Sequence, residues 1–293
     1  MLALIGLAVV TVGVFGGFAL AGGPLLILLQ PAEYLVIGGA AAGGLLISTT
    51  PNVLRQLIRQ SKAAMKPSPF TAALYLDLLQ LLYALMVKGK KNGLIALEKD
   101  LASPAESAIF SAHPAVLAHH EAVTFACEAL GMLVDGTVRP DDFEMVLSLH
   151  LDTHHDEELQ AAGTLAKVGD SLPGLGIVAA VLGIVITMQY IDGKPGEIGH
   201  HVAVALVGTF LGIFLSYGYV QPLAANIEGQ AAAQGRFLHC IKHCLVAFAR
   251  GAPPLVAVEV ARHGLFSDDR PEAEALAEAC RSATRSTTVA RAA

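Results

Sequence analysis

Apolar positions run almost unbroken through four stretches of this chain, Leu2 to Leu20, Tyr34 to Ser48, Leu172 to Ile191 and Val202 to Val220. A membrane span takes about 20 mostly apolar residues, so each stretch predicts a transmembrane helix. The second is short, but Leu28 and Leu29 extend its apolar flank. A fifth run, Phe70 to Val87, is long enough, yet Asp77 sits near its centre. An acid at that depth costs about 2.5 to 3.5 kcal/mol on insertion scales. Lys62 and Lys66 precede this run, and Lys88, Lys90 and Lys91 follow it. A fifth span would also put the two polar regions on opposite faces. The run therefore reads as a helix buried in, or skimming, the cytoplasmic side. The expected fold is all-α: a polytopic membrane protein with four transmembrane helices and a helical cytoplasmic domain.

Basic residues orient these spans. The connections between spans one and two and between spans three and four are short and hold a single lysine, Lys194, whereas Arg55, Arg59, Lys62 and Lys66 crowd the end of span two. By the positive-inside rule, Pro51 to Asp170 and Pro222 to Ala293 face the cytoplasm, as do both termini. The expected domains are residues 1–50 with spans one and two, 51–170 as a cytoplasmic helical domain, 171–221 with spans three and four, and 222–293 as a cytoplasmic tail. Ala19-Leu20-Ala21 looks like a signal-peptidase site, but no Lys or Arg precedes Arg55 to form a basic leader.

Composition sharpens this picture. The chain is 54% hydrophobic and 15% charged, far from a soluble average. It has no tryptophan, which leaves Tyr34, Tyr190 and Tyr219 as interfacial anchors. A net charge of −6 and the lack of a basic arm argue against nucleic acid as a partner. Cys127, Cys240, Cys244 and Cys280 all fall on the cytoplasmic side, where disulfides are not expected.

Chemistry inside the spans is sparse. None of the four apolar runs contains Asp, Glu, Lys or Arg, and proton relays through hydrocarbon use Asp, Glu or His. His200 and His201 stand only at the outer mouth of span four, while Thr187, Thr209, Ser216 and Tyr217 are the notable polar groups within. If the chain conducts an ion, a partner must supply the carboxylate. Small residues recur at helical spacing in Gly39 to Gly43, Gly208 to Gly212 and Ala179 to Gly183. Such faces let helix backbones approach and predict oligomer contacts. "HCIKHC", His239 to Cys244, and "HHDEE", His154 to Glu158, have spacings that could serve a metal. They read more simply as an amphipathic helix and a solvated acidic face, and no metal or cofactor is predicted. No catalytic motif is present; "GLGIVAAVLG" lies in a span and lacks the strand a phosphate loop follows.

Two features remain. Lys88 to Pro114, "KGKKNGLIALEKDLASPAESAIFSAHP", presents a lysine cluster and then an acidic helix, suited to electrostatic contact with another protein. Lys90 and Glu98 would lie a little over two turns apart if one helix carried both. Pro173 follows Asp170 at the start of span three. Proline in a first turn is unremarkable, with Asp170 or Ser171 as the cap, and replacing it would then cost little. As a hinge at the inner boundary, shared with Pro222, it would instead couple the spans to the cytoplasmic domain.

Four stretches, "LEKDLASPAESAIFSAHP" from Leu97, "VGDSLPGLGIVAAVLG" from Val168, "VALVGTFLGIFLSYGYVQPLA" from Val204 and "APPLVAVEVARHGLFSDDRP" from Ala252, resemble the MotA branch of the ion-driven motor family that includes the ExbB and TolQ proteins. The resemblance covers most of the chain. It implies a flagellar stator subunit in the bacterial inner membrane, arranged as a homo-oligomeric ring around a dimer of MotB. That partner would supply the membrane aspartate, a plug region and a peptidoglycan-binding domain. The family's charged pair falls on Lys90 and Glu98 and would act on the rotor protein FliG. Where the family commonly has arginine this chain has Lys90, so bidentate pairing is lost and Lys88 or Lys91 is expected to share the task. The functional prolines fall on Pro173 and Pro222, and the pore-side threonine on Thr209. Tyr217 is counted with them in the ion path. Sodium-driven relatives are expected to carry a hydroxyl at Ala180, so protons are the expected ion. Ala180 and Thr209 lie about 12 and about 18 Å from the inner ends of their spans at 1.5 Å per residue, close enough to share one polar pocket. Two alternatives stay open: an ExbB- or TolQ-like energiser of an outer-membrane system, and a membrane scaffold without ion flux.

Overall fold

The structure, a computed structural model, describes residues 2–136 and 138–289, and among them every regular element is helical. The order is α1 (Leu2–Leu20), α2 (Pro31–Ser48), α3 (Pro51–Ala64), α4 (Ala72–Asn92), α5 (Glu98–Ala102), α6 (Ala108–Ser111), α7 (Pro114–Leu117), α8 (His120–Val134), α9 (Pro140–Met188), α10 (Pro195–Leu215), a π-helical turn (Ser216–Val220), α11 (Gln221–Ala249), α12 (Pro254–His263) and α13 (Ala273–Val289). Local chemistry sets many of these boundaries. Thr50 accepts from the Val53 N–H at 3.4 Å, with Pro51 following as the first helical residue of α3. Thr71 caps α4 in the same way. At its far end Gly93, with φ of +86°, takes a left-handed conformation that L side chains resist.

The chain divides into two compact units. The first comprises Met1–Pro67 and Glu157–Ala231, the second Ser68–Asp156 and Ala232–Ala293. Five helical stretches are long and apolar enough to cross a membrane: Leu2–Leu20, Leu25–Ser48, Ala72–Asn92, Pro140–Met188 and Pro195–Ala249. They are not packed alike. Half of the apolar window of α4 is buried within the protein, against none of α1. In the second unit α4 supplies Tyr75, Leu78, Leu79, Leu82, Leu85 and Met86 to a core shared with Phe110, Phe143 and Phe237. Asp77, the residue that argued against a span, is bound to His113 Nδ1 at 2.5 Å.

In the first unit α9 and α10 pack through glycines. A Cβ on Gly212 would stand 2.5 Å from the Leu172 carbonyl oxygen, and one on Gly176 would stand 2.7 Å from that of Gly208. Gly183 meets the Ala205 backbone in the same manner. Gly208 and Gly212, predicted to join one subunit to another, thus close a contact within the chain. Gly39 and Gly43 of α2 have nothing within 4 Å of such a methyl.

Two further expectations are corrected. α2 begins at Pro31 rather than Tyr34, so Glu33 lies inside an apolar helix counted as free of acid. And α9 does not start near Asp170: it runs unbroken through Pro173, so neither Asp170 nor Ser171 is a helix cap.

Candidate ion-path joint and charged surface

Pro173 removes one N–H from the interior of α9 and so leaves the carbonyl four residues back, that of Gly169, without its helical partner. The structure fills that vacancy from another helix. Ser216, fully buried, donates its hydroxyl to the Gly169 oxygen at 2.7 Å. Ser216 also opens the π-helical turn that precedes Pro222. Within that turn the Gln221 N–H reaches back to the Ser216 carbonyl, five residues away. π-turns occur often at functional positions, where the wider ring accommodates a break in the regular ladder. Gln221 then ties the two helices again, its Nε2 donating to Asp170 Oδ1 at 2.6 Å and to the Ala166 carbonyl at 3.2 Å. A methyl on Gly169 would stand 2.9 Å from the Gln221 amide nitrogen, so the Gln221 side chain lies close over this glycine. Pro173 and Pro222 thus flank one joint, where polar side-chain contacts stand in for the helical bonds the prolines remove. A cavity of about 430 Å³, lined by Leu7, Val10, Tyr219, Leu223 and others, lies against Pro222.

The remaining ion-path candidates take different positions. Ala180 sits beside Gly208, its backbone nitrogen 3.1 Å from where a Gly208 Cβ would be, and Thr209 is the next residue of α10. Both are half-buried. Tyr217 is 67% exposed, on the outside of the π-turn. Its neighbour Tyr219 instead meets Thr11 of α1, hydroxyl to hydroxyl at 2.6 Å.

The charged pair lies in the second unit. Lys90 is exposed in the last turn of α4 and Glu98 exposed at the first position of α5. The two do not share a helix, because Gly93 ends α4 and a 3₁₀ turn, Leu94–Leu97, intervenes. Lys88 is not available to share their task. It pairs with Asp100, which is buried and also accepts from the Ser107 hydroxyl at 2.8 Å. Ser107 in turn receives the Ile109 and Phe110 amides at the start of α6. This chain of contacts fixes the loop and leaves Lys90, Lys91, Glu98 and Lys99 facing outward. Among the described residues, no ion pair is formed by Lys90, Lys91 or Glu98.

The other motifs are absorbed by packing. Cys240 and Cys244 belong to the core of the second unit, and burial pushes the Cys240 thiol up to about 12 and the Cys244 thiol well above its ordinary value. A thiol held neutral in this way is a poor metal ligand. The His239 and His243 rings stack 6.0 Å apart beside them. In "HHDEE", Glu158 accepts from Gln56, Arg59 and Gln60 of α3, the last at 2.6 Å. Sequence reasoning missed Ser216 as the partner of Gly169, because the pairing joins residues 47 positions apart. Glu33 immediately precedes Tyr34, where the apolar run begins, and only the fold carries α2 back to Pro31 and so takes Glu33 into the helix.

Known proteins resemble this chain over most of its length. Residues 4–93 match the family profile "Motility protein A N-terminal", and residues 117–235 match "MotA/TolQ/ExbB proton channel family". Motility protein A of Salmonella typhimurium is 38% identical over 92% of both chains, as is that of Escherichia coli. Chemotaxis protein LafT of Vibrio parahaemolyticus is 36% identical, over 91% of this chain and 94% of its own. Among solved structures, C. jejuni MotAB superposes with a TM-score of 0.76 at 19% identity, covering 91% of this chain and 96% of that one. The Bacillus subtilis stator complex gives 0.72 at 20% identity, over 90% and 94%.

Proposed function

The chain belongs to the motility protein A family and is a flagellar motor stator subunit; from that premise we propose how it works. With a MotB-like single-span partner it forms a proton-conducting complex in the bacterial inner membrane, as a ring of copies around the partner. Both termini and the segments 51–170 and 222–293 lie in the cytoplasm. α1, α2 and the apolar parts of α9 and α10 cross the membrane; α4 does not, since its apolar surface is already spent on a protein core. Each proton that crosses yields about 2.3 kcal/mol per 100 mV. That work turns a rotor protein of the FliG kind through the outward-facing Lys90 and Glu98.

The observation that carries this reading is the joint at Pro173 and Pro222. Two prolines, each removing one helical hydrogen bond, stand where spans read as the ion path leave the membrane, beside the bonds from Ser216 to Gly169 and from Gln221 to Asp170. Hydrogen bonds between side chain and backbone can be exchanged at lower cost than a helical ladder, so a charge change near Thr209 and Ala180 can be passed on as a tilt. The ExbB- and TolQ-like alternative has less support, because the N-terminal match and the relatives at 36–38% identity are motility and chemotaxis proteins.

Proton uptake by vesicles tests the proposal. Complexes of this chain with its partner, lacking the partner's plug region, should take up protons under an imposed potential, and vesicles holding this chain alone should not. Uptake by the chain alone would remove the need for a partner's carboxylate, and none from the complex would exclude conduction.

A further inference from the structure

Glu33 stands in the first turn of α2, and its side chain turns inward. It is 7% exposed, and its Oε2 is out of contact with solvent and has no hydrogen-bond partner. Two glycines make room for the carboxyl. A methyl on Gly208 would come 2.6 Å from Oε2, and one on Gly183 would come 3.7 Å from Oε1. Ala179 and Ala205, both buried, stand beside the same two glycines.

The ordinary account of an acid in a first turn is its attraction to the helix dipole. That account needs the carboxylate near the first backbone N–H groups. Here no bond joins Glu33 to any of them, and Gln30, the capping residue, offers no side-chain cap either. The carboxyl reaches across to α9 and α10 instead.

No cation awaits it there. α1 holds no Asp, Glu, Lys or Arg, and neither does α9 beyond Asp170 or the α10 to α11 stretch between Glu197 and Glu228. The titratable groups of these elements are Tyr34, Tyr190, His200, His201, Tyr217 and Tyr219. Tyr34 gives its hydroxyl to the Leu28 carbonyl, Tyr219 meets Thr11, and Tyr190 stacks on His201 at 4.4 Å. His201 precedes Ala205 and Gly208 by four and seven residues, on the same stripe of α10. The seat also lacks the oxygen ligands a metal cation would need, since the Thr187 hydroxyl is committed to the Gly183 carbonyl at 2.8 Å. A carboxylate in such a place carries a desolvation cost of several kcal/mol unless paired. A proton is the one cation that a single carboxyl can bind alone.

We propose that Glu33 is a proton-binding site at the junction of α2, α9 and α10, occupied while the side chain is seated against Gly208 and Gly183 and emptied when α2 moves off them. As a station on a conduction route it rests on the proton-conducting reading above; as a proton-binding site it does not.

The two can be tested separately. A membrane-permeant carbodiimide adds the oxygen of a protonated carboxyl to its central carbon, the acid's proton passing to nitrogen, and leaves a stable adduct. The intact complex should be labelled across a pH series, and the peptides of this chain mapped. The adduct is expected at Glu33, falling as pH rises, and absent from Glu33→Gln, which keeps the shape of the group. In vesicles of the complex, Glu33→Gln should cut proton uptake several-fold while the partner still co-purifies, and Glu33→Asp should restore part of it. No adduct at Glu33 at any pH, in a sample whose partner carboxyl is labelled, would overturn the site. Wild-type uptake by Glu33→Gln would overturn its place on the route. Failure of the wild-type complex to take up protons would overturn the functional reading, leaving the adduct to decide the site.

Discussion

A methyl on Gly212 of α10 would come 2.5 Å from the backbone oxygen of Leu172, while one on Gly89 of α4 would meet only the movable ends of Leu94 and Leu97, at 3.1 Å. The two positions summarise how differently the units are held together. In the first, α9 and α10 touch backbone to backbone, and what polar bonding they have comes from Ser216, Gln221 and Asp170. In the second, large side chains interdigitate around Tyr75, Phe110, Phe143 and Phe237. Lipid gives apolar side chains no reason to leave it, so association there depends on close approach and hydrogen bonding. Water does give such a reason, and the conventional apolar core of the second unit fits its proposed place in the cytoplasm.

The contrast is broken most severely at the glycines. Gly212→Leu should prevent α9 and α10 from seating, and the protein should fail to accumulate in membranes when followed by immunoblot. Gly43→Leu, on a face with nothing within 4 Å, should leave the fold intact and so isolates any role of that face in assembly. In the second unit Leu82→Ala, at a fully buried position, should cost about 2 to 5 kcal/mol through lost burial and the cavity left behind. It should lower the melting temperature of the purified complex without changing its membrane insertion. Accumulation of Gly212→Leu at wild-type levels would show that the contact is loose.

At the joint the expected effect is smaller. Ser216→Ala leaves the Gly169 oxygen unpaired beside Pro173, at about 1 to 3 kcal/mol. The variant should stay assembled and swim more slowly. Pro173→Ala, which restores the N–H to α9, should remove the need for Ser216, so the double variant should lose no further stability relative to Pro173→Ala alone. Equal extra losses in both backgrounds would mean that the hydroxyl does not answer the proline.

The smallest effect concerns pH and only the second unit. His119, against Phe70 and Phe237, and His239 in α11 are half-buried, and burial lowers both below 6.5. The unfolded chain then binds protons that the folded one refuses, so stability is full above about 6.5 and falls as pH drops through that value. Thermal melts of the purified complex between pH 7.5 and 5.5, an interval of about one unit to either side of the ordinary histidine value, should show the decline. His119→Gln with His239→Gln should reduce it, leaving the part due to His243, which burial also lowers.

Much of this was legible in residue order. Long apolar runs name their own helices, and the insertion cost of Asp77 set Phe70 to Val87 apart as a buried or membrane-skimming helix; the structure places it in a core, with Asp77 bound to His113. Charge alone put Lys90 and Glu98 on a surface. What order could not reveal were pairings set by tertiary approach. Gly208 and Gly212 look the same whether they face α9 or another subunit. Pro173 looked like a helix start because the polar residues before it suggested a cap, whereas α9 continues through it and Ser216, 47 residues away, supplies the missing donor. Lys88 stood in a cluster with Lys90 and Lys91, and only the fold commits it to Asp100.

Lys90 and Glu98 lie in the second unit and Pro173 and Pro222 in the first, so the proposed rotor contact and ion passage should be separable. Proton uptake and swimming measured on one variant, Lys90→Glu with Glu98→Lys, test this directly. Neither residue belongs to the unit that holds Pro173 and Pro222, so the complex should assemble with its partner and take up protons at the wild-type rate. Swimming should be abolished or badly slowed, and partly regained when the facing charges on the rotor are reversed. Wild-type swimming by the reversed protein, or loss of proton uptake together with motility, would contradict it.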